Sequence, residues 1–439
     1  MVNLEKGNSK LLNAWAFYDW ANSVYSLVIA SAIFPIFYGA LFKIKGSLYI
    51  DIFGTTLKST ALISFVTAAA FLLVALISPL LSGIADFVGN KKNFMKFFCY
   101  LGALSCIALY WFSLENIYWS LFAYFLGLVG FWGSLVFYNS YLPDIAFPEQ
   151  QDGISAKGYS LGYIGSVILL IVNLAMVMKP ELFGISGTSG EAKMKAMRYS
   201  FITVGVWWIL FSQYTYYYLP KGNKDQKVTK SVIFNGFREL QKVWSLLGEN
   251  LKLKRFLGSF FVYGMAVQTV MIVAVYFGEQ EIQWTSDSEK TTGLIISILV
   301  IQLVAILGAI MTSKASAKFG NIVTLIFLNC VWAVLCIIAF FVTTPVEFYL
   351  TAGFVGLVMG GIQALSRSTY SKLLPETDDT ASFFSFYDVT EKIGIVIGML
   401  LYGIIDQVTG SPRYSIIFLC LFFVSGILLL SRVRKITNE

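Results

Sequence analysis

Long apolar runs, bounded by short polar or charged segments, recur along the whole chain. A helix needs about 20 predominantly apolar residues to cross a bilayer, and twelve runs reach that length. They cover residues 14–42, 60–82, 94–113, 117–139, 157–178, 199–219, 256–278, 290–312, 322–342, 347–365, 382–405 and 414–431. The pattern predicts an all-α integral membrane protein with twelve transmembrane helices, six on each side of a polar linker.

The composition excludes several classes of protein. Of the 439 residues, 57% are hydrophobic and 13% are charged, whereas a soluble domain carries about 25% charged residues. A set of soluble domains, a disordered tail and a nucleic-acid-binding protein are therefore excluded, and the lipid bilayer is an expected partner. The sequence has no histidine, and its five cysteines lack metal-ligand spacing. Phosphate-cradling loops are also missing, so we expect no cofactor, no metal and no enzyme activity.

The basic residues between the predicted spans are unevenly distributed. More of them lie on the side of both termini than on the opposite side, and many lie in the linker, residues 220–255. Because positively charged segments stay in the cytoplasm, we predict that both termini are cytoplasmic. The predicted domains are residues 1–219 and 256–439. Short loops and termini favour the plasma membrane of a bacterium, and we expect a monomer.

Apolar residues in the linker recur at intervals of three and four, which is typical of an amphipathic helix at a membrane interface. They are Ile233, Phe237, Leu240, Trp244, Leu247 and Leu251. Two interpretations stay open for this helix: a strut that couples the two halves, or a tether with a lipid-facing stripe.

The two halves of the chain repeat one another. Three motifs recur in the same order: Gly127-Leu-Val-Gly130 with Gly353-Phe-Val-Gly356, Leu142-Pro143-Asp144 with Leu374-Pro375-Glu376, and Gly89-Asn90 with Gly320-Asn321. Parallel six-helix repeats with a central site between them resemble the major facilitator architecture. We therefore predict two pseudo-symmetric six-helix bundles.

The segment between spans 2 and 3 reads Gly83-Ile-Ala-Asp86-Phe-Val-Gly89-Asn-Lys91-Lys92 and resembles the signature loop of the major facilitator superfamily. The resemblance implies that Asp86 locks the cytoplasmic side, and an acid can lie against the positive end of a neighbouring helix. The alternative is a tight turn with a solvated basic pair. The second half has Ala317 where an aspartate would stand, so the gate is expected to be asymmetric. The predicted gate residues are Gly83, Asp86, Gly89, Lys91, Lys92 and, near the end of span 10, Arg367.

A narrower resemblance begins in span 1. The run Tyr18-Asp19-Trp20-Ala21-Asn22-Ser23 is similar to the start of the vacuolar amino-acid effluxers linked to autophagy in fungi and of their bacterial relatives. The resemblance implies a transporter. This chain departs from the usual pattern in span 7, where Tyr263-Gly264 replaces an Asn/Asp-Gly pair, and in span 11, where Glu391-Lys392 replaces Gly-Lys. Further similar motifs lie at residues 158–165, 360–368 and 383–388.

Span 11 carries most of the charge found inside the spans. Asp388 and Lys392 stand four residues apart, acid first, which favours an intrahelical ion pair. If they neutralise each other, Glu391 has no partner on its own helix and can take up a proton. The predicted proton-coupling residues are Glu391 first, then Asp19 and Asp388. The alternative is a structural bridge between Arg367 and Glu391.

Polar and aromatic side chains on the inner spans predict the class of cargo. Tyrosine and glutamine suit hydroxyls, amides and zwitterions, and one pair of opposite charges can clamp a carboxylate and an ammonium group. We predict a secondary transporter that moves a small polar organic solute, first an amino acid or small peptide, by proton symport. The alternatives are a carrier for a sugar or drug-like solute, and a lipid flippase or scramblase on the same fold. The predicted substrate-binding residues are Tyr18, Asp19, Asn22, Tyr25, Tyr159, Tyr163, Gln268, Gln302, Gln363, Tyr387 and Lys392.

Overall fold

The described part of the chain contains twelve helices of transmembrane length, as predicted. The computed structural model describes residues 4–221 and 232–437. A linker helix, Val232–Glu249, separates the sixth span from the seventh. The spans are α1 (Ser9–Lys45), α2 (Ser59–Val88), α3 (Lys91–Trp111), α4 (Ile117–Ser140), α5 (Pro148–Met178), α6 (Ser189–Tyr218), α7 (Leu251–Glu281), α8 (Asp287–Phe319), α9 (Asn321–Phe341), α10 (Pro345–Leu373), α11 (Thr380–Thr409) and α12 (Pro412–Thr437).

Ten of these helices are long and apolar enough to cross a membrane on length and composition alone. The other two, α6 and α11, have 30 residues each. They are more charged, because α6 has basic residues in its first turns and α11 carries Asp388, Glu391 and Lys392. An even number of spans places both chain ends and the linker helix on one side of the membrane. We call this the linker side and the opposite one the far side.

Several helices extend beyond their predicted ends. α2 continues to Val88, so Asp86 lies on its last turn, and only Gly89 and Asn90 connect it to α3. Gly89 has φ +72°, a left-handed conformation that ends a helix and favours glycine. α7 begins at Leu251, which therefore belongs to the seventh span and not to the amphipathic helix.

Two features of the first bundle were not expected from the apolar pattern. The middle of α1, Tyr25–Ala32, is π-helical. On the far side, β1 (Tyr49–Ile52) and β2 (Thr55–Lys58) form an antiparallel hairpin. Its turn residues Phe53 and Gly54 have φ of 48° and 78°, and two positive φ values match the twist of a tight hairpin. The spans are all-α, but one loop carries a short sheet.

Each bundle has its own apolar core. Trp15 stacks on Tyr138 at 4.6 Å in the first bundle, and Trp332 stacks on Phe423 at 5.4 Å in the second. Glycines let helices approach closely: a Cβ at Gly360 of α10 would collide with the backbone of α8. The two bundles meet mainly along α2 and α11, α5 and α8, and α5 and α10.

The linker helix packs along α2 on the linker side. Val243 and Leu247 are buried, whereas Phe237 and Trp244 of the predicted stripe are largely exposed. The side chain of Ile233, also in that stripe, lies outside the described residues. Lys242 binds Asp379, just before α11, at 2.6 Å. This contact with the second bundle favours the strut interpretation, and the buried face is turned slightly from the predicted one.

Candidate functional site

On the linker side, Asp86 caps a helix of the other bundle. Its carboxylate accepts hydrogen bonds from the backbone N–H of Ala381 at 3.2 Å and of Ser382 at 2.7 Å, and from the Ser382 hydroxyl at 2.7 Å. Both residues lie in the first turn of α11, where the helix dipole favours a negative charge. The carboxylate is buried. Asp86 thus has the position that its motif predicted, against the positive end of a neighbouring helix.

The two lysines of the motif have different roles in the packing. Lys91 pairs with Asp144, donates to the hydroxyl of Thr380 at 2.7 Å, and so links both bundles. Lys92 is buried and donates to the carbonyl of Leu219 at 2.6 Å, at the end of α6. The pair is therefore not solvated, which argues against the simple turn. Gly83 lies buried in α2 and Gly89 ends that helix.

The second-half counterpart of this contact, at the loop between α8 and α9, has its acid on the facing helix α5. Asp152, near the start of α5, accepts from Ser316 at 2.8 Å and from Asn321 at 2.9 Å. Lys372 lies 2.7 Å from the same carboxylate. The asymmetry was predicted from Ala317, but Asp152 and Lys372 were not among the predicted residues. No sequence motif marks these two residues, because Asp152 lies on α5 whereas the loop that it contacts joins α8 to α9.

Arg367 belongs to α10 of the second bundle, but its side chain contacts residues of the first bundle and is fully buried. Its guanidinium is 3.2 Å from the Asp19 carboxylate of α1 and donates to Asn139 at 3.2 Å and to the Ser155 hydroxyl at 3.0 Å. Tyr138 donates to the same Asp19 oxygen at 2.8 Å. The predicted alternative, a bridge between Arg367 and Glu391, is therefore wrong: Arg367 pairs with Asp19.

Gly158 of α5 makes room for this ion pair. A Cβ at that position would lie 2.5 Å from Oδ2 of Asp19 and 3.1 Å from Nη2 of Arg367. Tyr159, the next residue, has its ring 4.2 Å from the guanidinium carbon, a cation–π distance. The motif at residues 158–165 thus packs α5 against α1 and around the arginine.

The charged residues of α11 form one cluster, Asp388, Glu391 and Lys392, which we call the charge cluster. Lys392 is 2.8 Å from Asp388, the predicted pair, and also 3.1 Å from Glu391. Its ammonium lies 3.7 Å from the ring centre of Trp132 in α4. Gln268 of α7 donates to Glu391 at 2.6 Å. The expectation that Glu391 lacks a partner on its own helix is wrong, because the Lys392 side chain reaches both acids.

A small cavity of about 20 Å³ lies between α5, α7, α10 and α11, enough for about one water molecule. Glu391 is the charged residue among the described lining. Tyr163 crosses the same interface and donates to Gln363 at 2.9 Å. Other lining residues are Tyr159, Phe260, Tyr263, Gly264, Val267, Gln268, Ile362, Gln363, Ser366 and Tyr387.

Some predicted binding residues lie away from this cavity. Tyr18 packs beside Tyr138, and Tyr25 stacks on Phe131 at 4.8 Å, both inside the first bundle's core. Asn22 is buried in the same bundle. Gln302 is half-buried on α8 and is not among the residues that line the cavity. The structure brings together Tyr159, Tyr163, Gln268, Gln363 and Tyr387, with Lys392 behind Glu391.

Three sets of polar contacts between the bundles lie in the linker-side part of the spans. They join Asp86 to α11, Asp152 to α8 and α9, and Asp19 to Arg367. These contacts hold the two bundles together at the linker side, and the small cavity lies between α5 of the first bundle and α7, α10 and α11 of the second.

Comparison with known proteins adds a family to this geometry. Residues 7–436 match the family described as "Vacuole effluxer Atg22 like". An MFS-type transporter of Bacillus subtilis, YxiO, itself uncharacterised, is 30% identical over 437 residues, covering 98% of this chain and 96% of its own. Autophagy-related protein 22 of Eremothecium gossypii is 27% identical over 295 residues, 62% of this chain and 54% of its own.

A similar fold is found among solved structures. The fucose:proton symporter FucP of E. coli superposes with a TM-score of 0.68, covering 97% of this chain and 98% of its own. The sequences are 15% identical, so this likeness concerns the fold, which is that of the major facilitator superfamily.

Proposed function

Because the chain belongs to the vacuole effluxer Atg22-like family and is a major facilitator transporter rather than an enzyme, we propose a transport function for it. In this proposal the protein moves a small polar organic solute by proton-coupled alternating access. An amino acid or small peptide is the proposed cargo. The central cavity between the bundles is the proposed binding site. The linker-side contacts of Asp86, Asp152 and Arg367 are the proposed gate, which breaks when the cavity opens to that side.

The observation that carries this proposal is the position of Glu391 on the cavity wall. The charge cluster contains two acids and one lysine, so it has one excess negative charge when all three are ionised. Asp388 is also buried with one carboxylate oxygen, Oδ2, lacking a hydrogen-bond partner among the described residues. An uncompensated charge inside a membrane protein is costly. A proton, or the ammonium group of a cargo, supplies the missing positive charge.

The remaining wall suits the rest of an amino acid. Gln268 and Gln363 offer amide groups, and the hydroxyl of Tyr263 lies 2.8 Å from that of Ser366. These neutral donors and acceptors suit a carboxylate or a peptide bond. Lys392 is already engaged by two acids and Trp132, so we assign it to holding Glu391 rather than to binding cargo.

Transport into proteoliposomes tests this function. Cargo is first identified as an amino acid, peptide or sugar that raises the melting temperature of the purified protein. Uptake of that solute is then measured with and without a pH gradient. Glu391→Gln is expected to abolish the stimulation by the gradient, and Glu279→Gln, an exposed acid at the end of α7, serves as the matched control. Undiminished gradient-driven uptake in Glu391→Gln would remove Glu391 from the coupling mechanism.

A sugar is the second candidate cargo, since amide and tyrosine side chains also bind hydroxyls. A sugar carries no ammonium group, so its binding would tolerate Glu391→Gln while its coupling would not. A lipid flippase or scramblase is less well supported, because the described cavity lies between helices of the two bundles and has a volume of only about 20 Å³, too small for an acyl chain. A melting temperature that rises with added lipids, but with none of the soluble solutes, would favour the flippase or scramblase.

We propose further that the linker side faces the cytoplasm of a bacterium, following the distribution of basic residues. Reporter fusions after residue 439 test this: a reporter that is active only in the cytoplasm should be active there. A reporter that is active only in the periplasm should be inactive at that position, and its activity there would show that the orientation is the opposite one.

A further inference from the structure

A groove lies on the membrane face of the first bundle, away from the central cavity. It has a volume of about 500 Å³ and lies where α1, α5 and α6 meet. Its wall is almost entirely apolar, with one charged residue, Lys157. The residues that line it are Asn13, Phe17, Lys157, Leu161, Phe211 and Tyr214.

The groove faces lipid rather than water. Lys157 is exposed, and the same face of α5 continues with Ile168, Ile171 and Val172, which are 42%, 52% and 44% exposed. Residues eleven positions apart lie about 20° apart around a helix, which aligns Lys157 with Ile168. On α6, Leu210 is 63% exposed beside the groove. Exposed aliphatic side chains on a transmembrane helix mark the surface that contacts acyl chains.

Lys157 stands on this lipid-facing surface without an acidic partner among the described residues. Its ammonium donates to the amide oxygen of Asn13 at 2.7 Å, a neutral partner. It lies nine residues into α5, about 14 Å along the helix from the linker-side end at 1.5 Å per residue. Because the apolar run of α5 starts at residue 157, Lys157 lies at the linker-side edge of the span, at the level of the headgroups, where an anion stabilises it. Lys10 is exposed on the same face of α1, one turn nearer the surface than Asn13.

From this charge complementarity we propose that the groove binds an anionic phospholipid of the linker-side leaflet. The phosphate-containing headgroup contacts Lys157, with Lys10 as a second cation, and one acyl chain lies between Phe17, Leu161 and Phe211. The site is separate from the central cavity, so it is independent of the cargo proposed above.

Thermal unfolding of the full chain in a neutral detergent tests the site. The protein is titrated with dioleoylphosphatidylglycerol and with dioleoylphosphatidylcholine, which have the same chains and differ in headgroup charge. We expect tighter binding of phosphatidylglycerol, and Lys157→Met should weaken that binding about fivefold and leave phosphatidylcholine unchanged. Lys43→Met, an exposed lysine at the far-side end of α1, is the matched control and should behave as wild type.

Two further measurements make the outcome decisive. Leu161→Trp keeps the charge but fills the groove, so it should weaken binding of both lipids if an acyl chain lies there. Glycerol 1-phosphate, a soluble headgroup without chains, should not stabilise the protein. Equal binding of the two lipids by wild type, an unchanged preference in Lys157→Met, or equal stabilisation by glycerol 1-phosphate would each overturn the proposal.

Discussion

Replacing Asp86 by Asn should shift the transporter towards a conformation open at the linker side. The carboxylate accepts three hydrogen bonds from the first turn of α11, two of them from backbone N–H groups. Asparagine has nearly the same shape, but it lacks the charge that the helix terminus stabilises. Its amide oxygen can still accept one or two of these bonds, so the change removes mainly the charge-assisted part of the contact.

The expected size follows from these contacts. Hydrogen bonds to a charged group are each worth about 1.5–3 kcal/mol, and a partly buried charge at a helix end up to about 2 kcal/mol. Because Asn retains part of the hydrogen bonding, we expect a net loss of about 2 kcal/mol for the closed state. At 1.4 kcal/mol per factor of ten, the closed-to-open ratio falls by about 30-fold.

Spin labels measure this shift directly. Glu149 at the start of α5 and Lys318 at the end of α8 are both exposed on the linker side and belong to different bundles. Labels at these positions should show a longer-distance population in Asp86→Asn. Asp51→Asn, an exposed acid of the far-side hairpin, is the control and should leave the distances unchanged.

A double-variant cycle separates the gate contact from general loosening. Ser382→Ala removes one of the three donors, so its effect should be smaller in the Asp86→Asn background than in wild type. Unchanged label distances in Asp86→Asn, or fully additive effects of the two substitutions, would refute the assigned role of this contact.

Three further outcomes follow from particular contacts. Gly158→Ala, whose Cβ would lie 2.5 Å from Asp19, should destabilise the protein by about 2 kcal/mol in thermal unfolding, whereas Gly258→Ala, with open space around it, should stabilise it by about 0.5 kcal/mol. Asp152→Asn and Lys372→Met should open the linker side to similar extents in the same spin-label assay, and together no further than either alone, because each removes the same ion pair. The hydrogen bond to Asp379 raises the pKa of Lys242 above its usual 10.5. This contact therefore stabilises the linker helix fully below pH 10.5 and is lost only as the pH rises further. The rate of proteolysis in the linker should thus stay constant between pH 6 and 9 but should increase in Lys242→Met.

The features that were predictable from the sequence are those that depend on neighbouring residues. A transmembrane run is local, and so is the spacing that pairs Asp388 with Lys392. The position of Asp86 against a helix end was predictable, because its loop carries a motif and helix ends attract acids. The partners of Glu391 and Arg367 were not, because Gln268 is 123 residues from Glu391 and Asp19 is 348 residues from Arg367. Such pairs depend on how the helices are aligned along the membrane, which their own sequences do not specify.

The two ion-pair systems respond differently when the linker side opens. Asp388 and Lys392 share α11, so their pair moves as one unit and survives the separation of the bundles. Arg367 and Asp19 belong to different bundles, so opening separates them, and breaking a buried pair costs about 3–5 kcal/mol when one partner stays buried. In the proposed transport cycle, this cost favours the conformation closed at the linker side. Opening is then favourable when water or a cation reaches Asp19, while the excess negative charge beside Glu391 remains on the second bundle throughout. Within the proposed function, Asp19 therefore acts on the conformational step and Glu391 on the binding step.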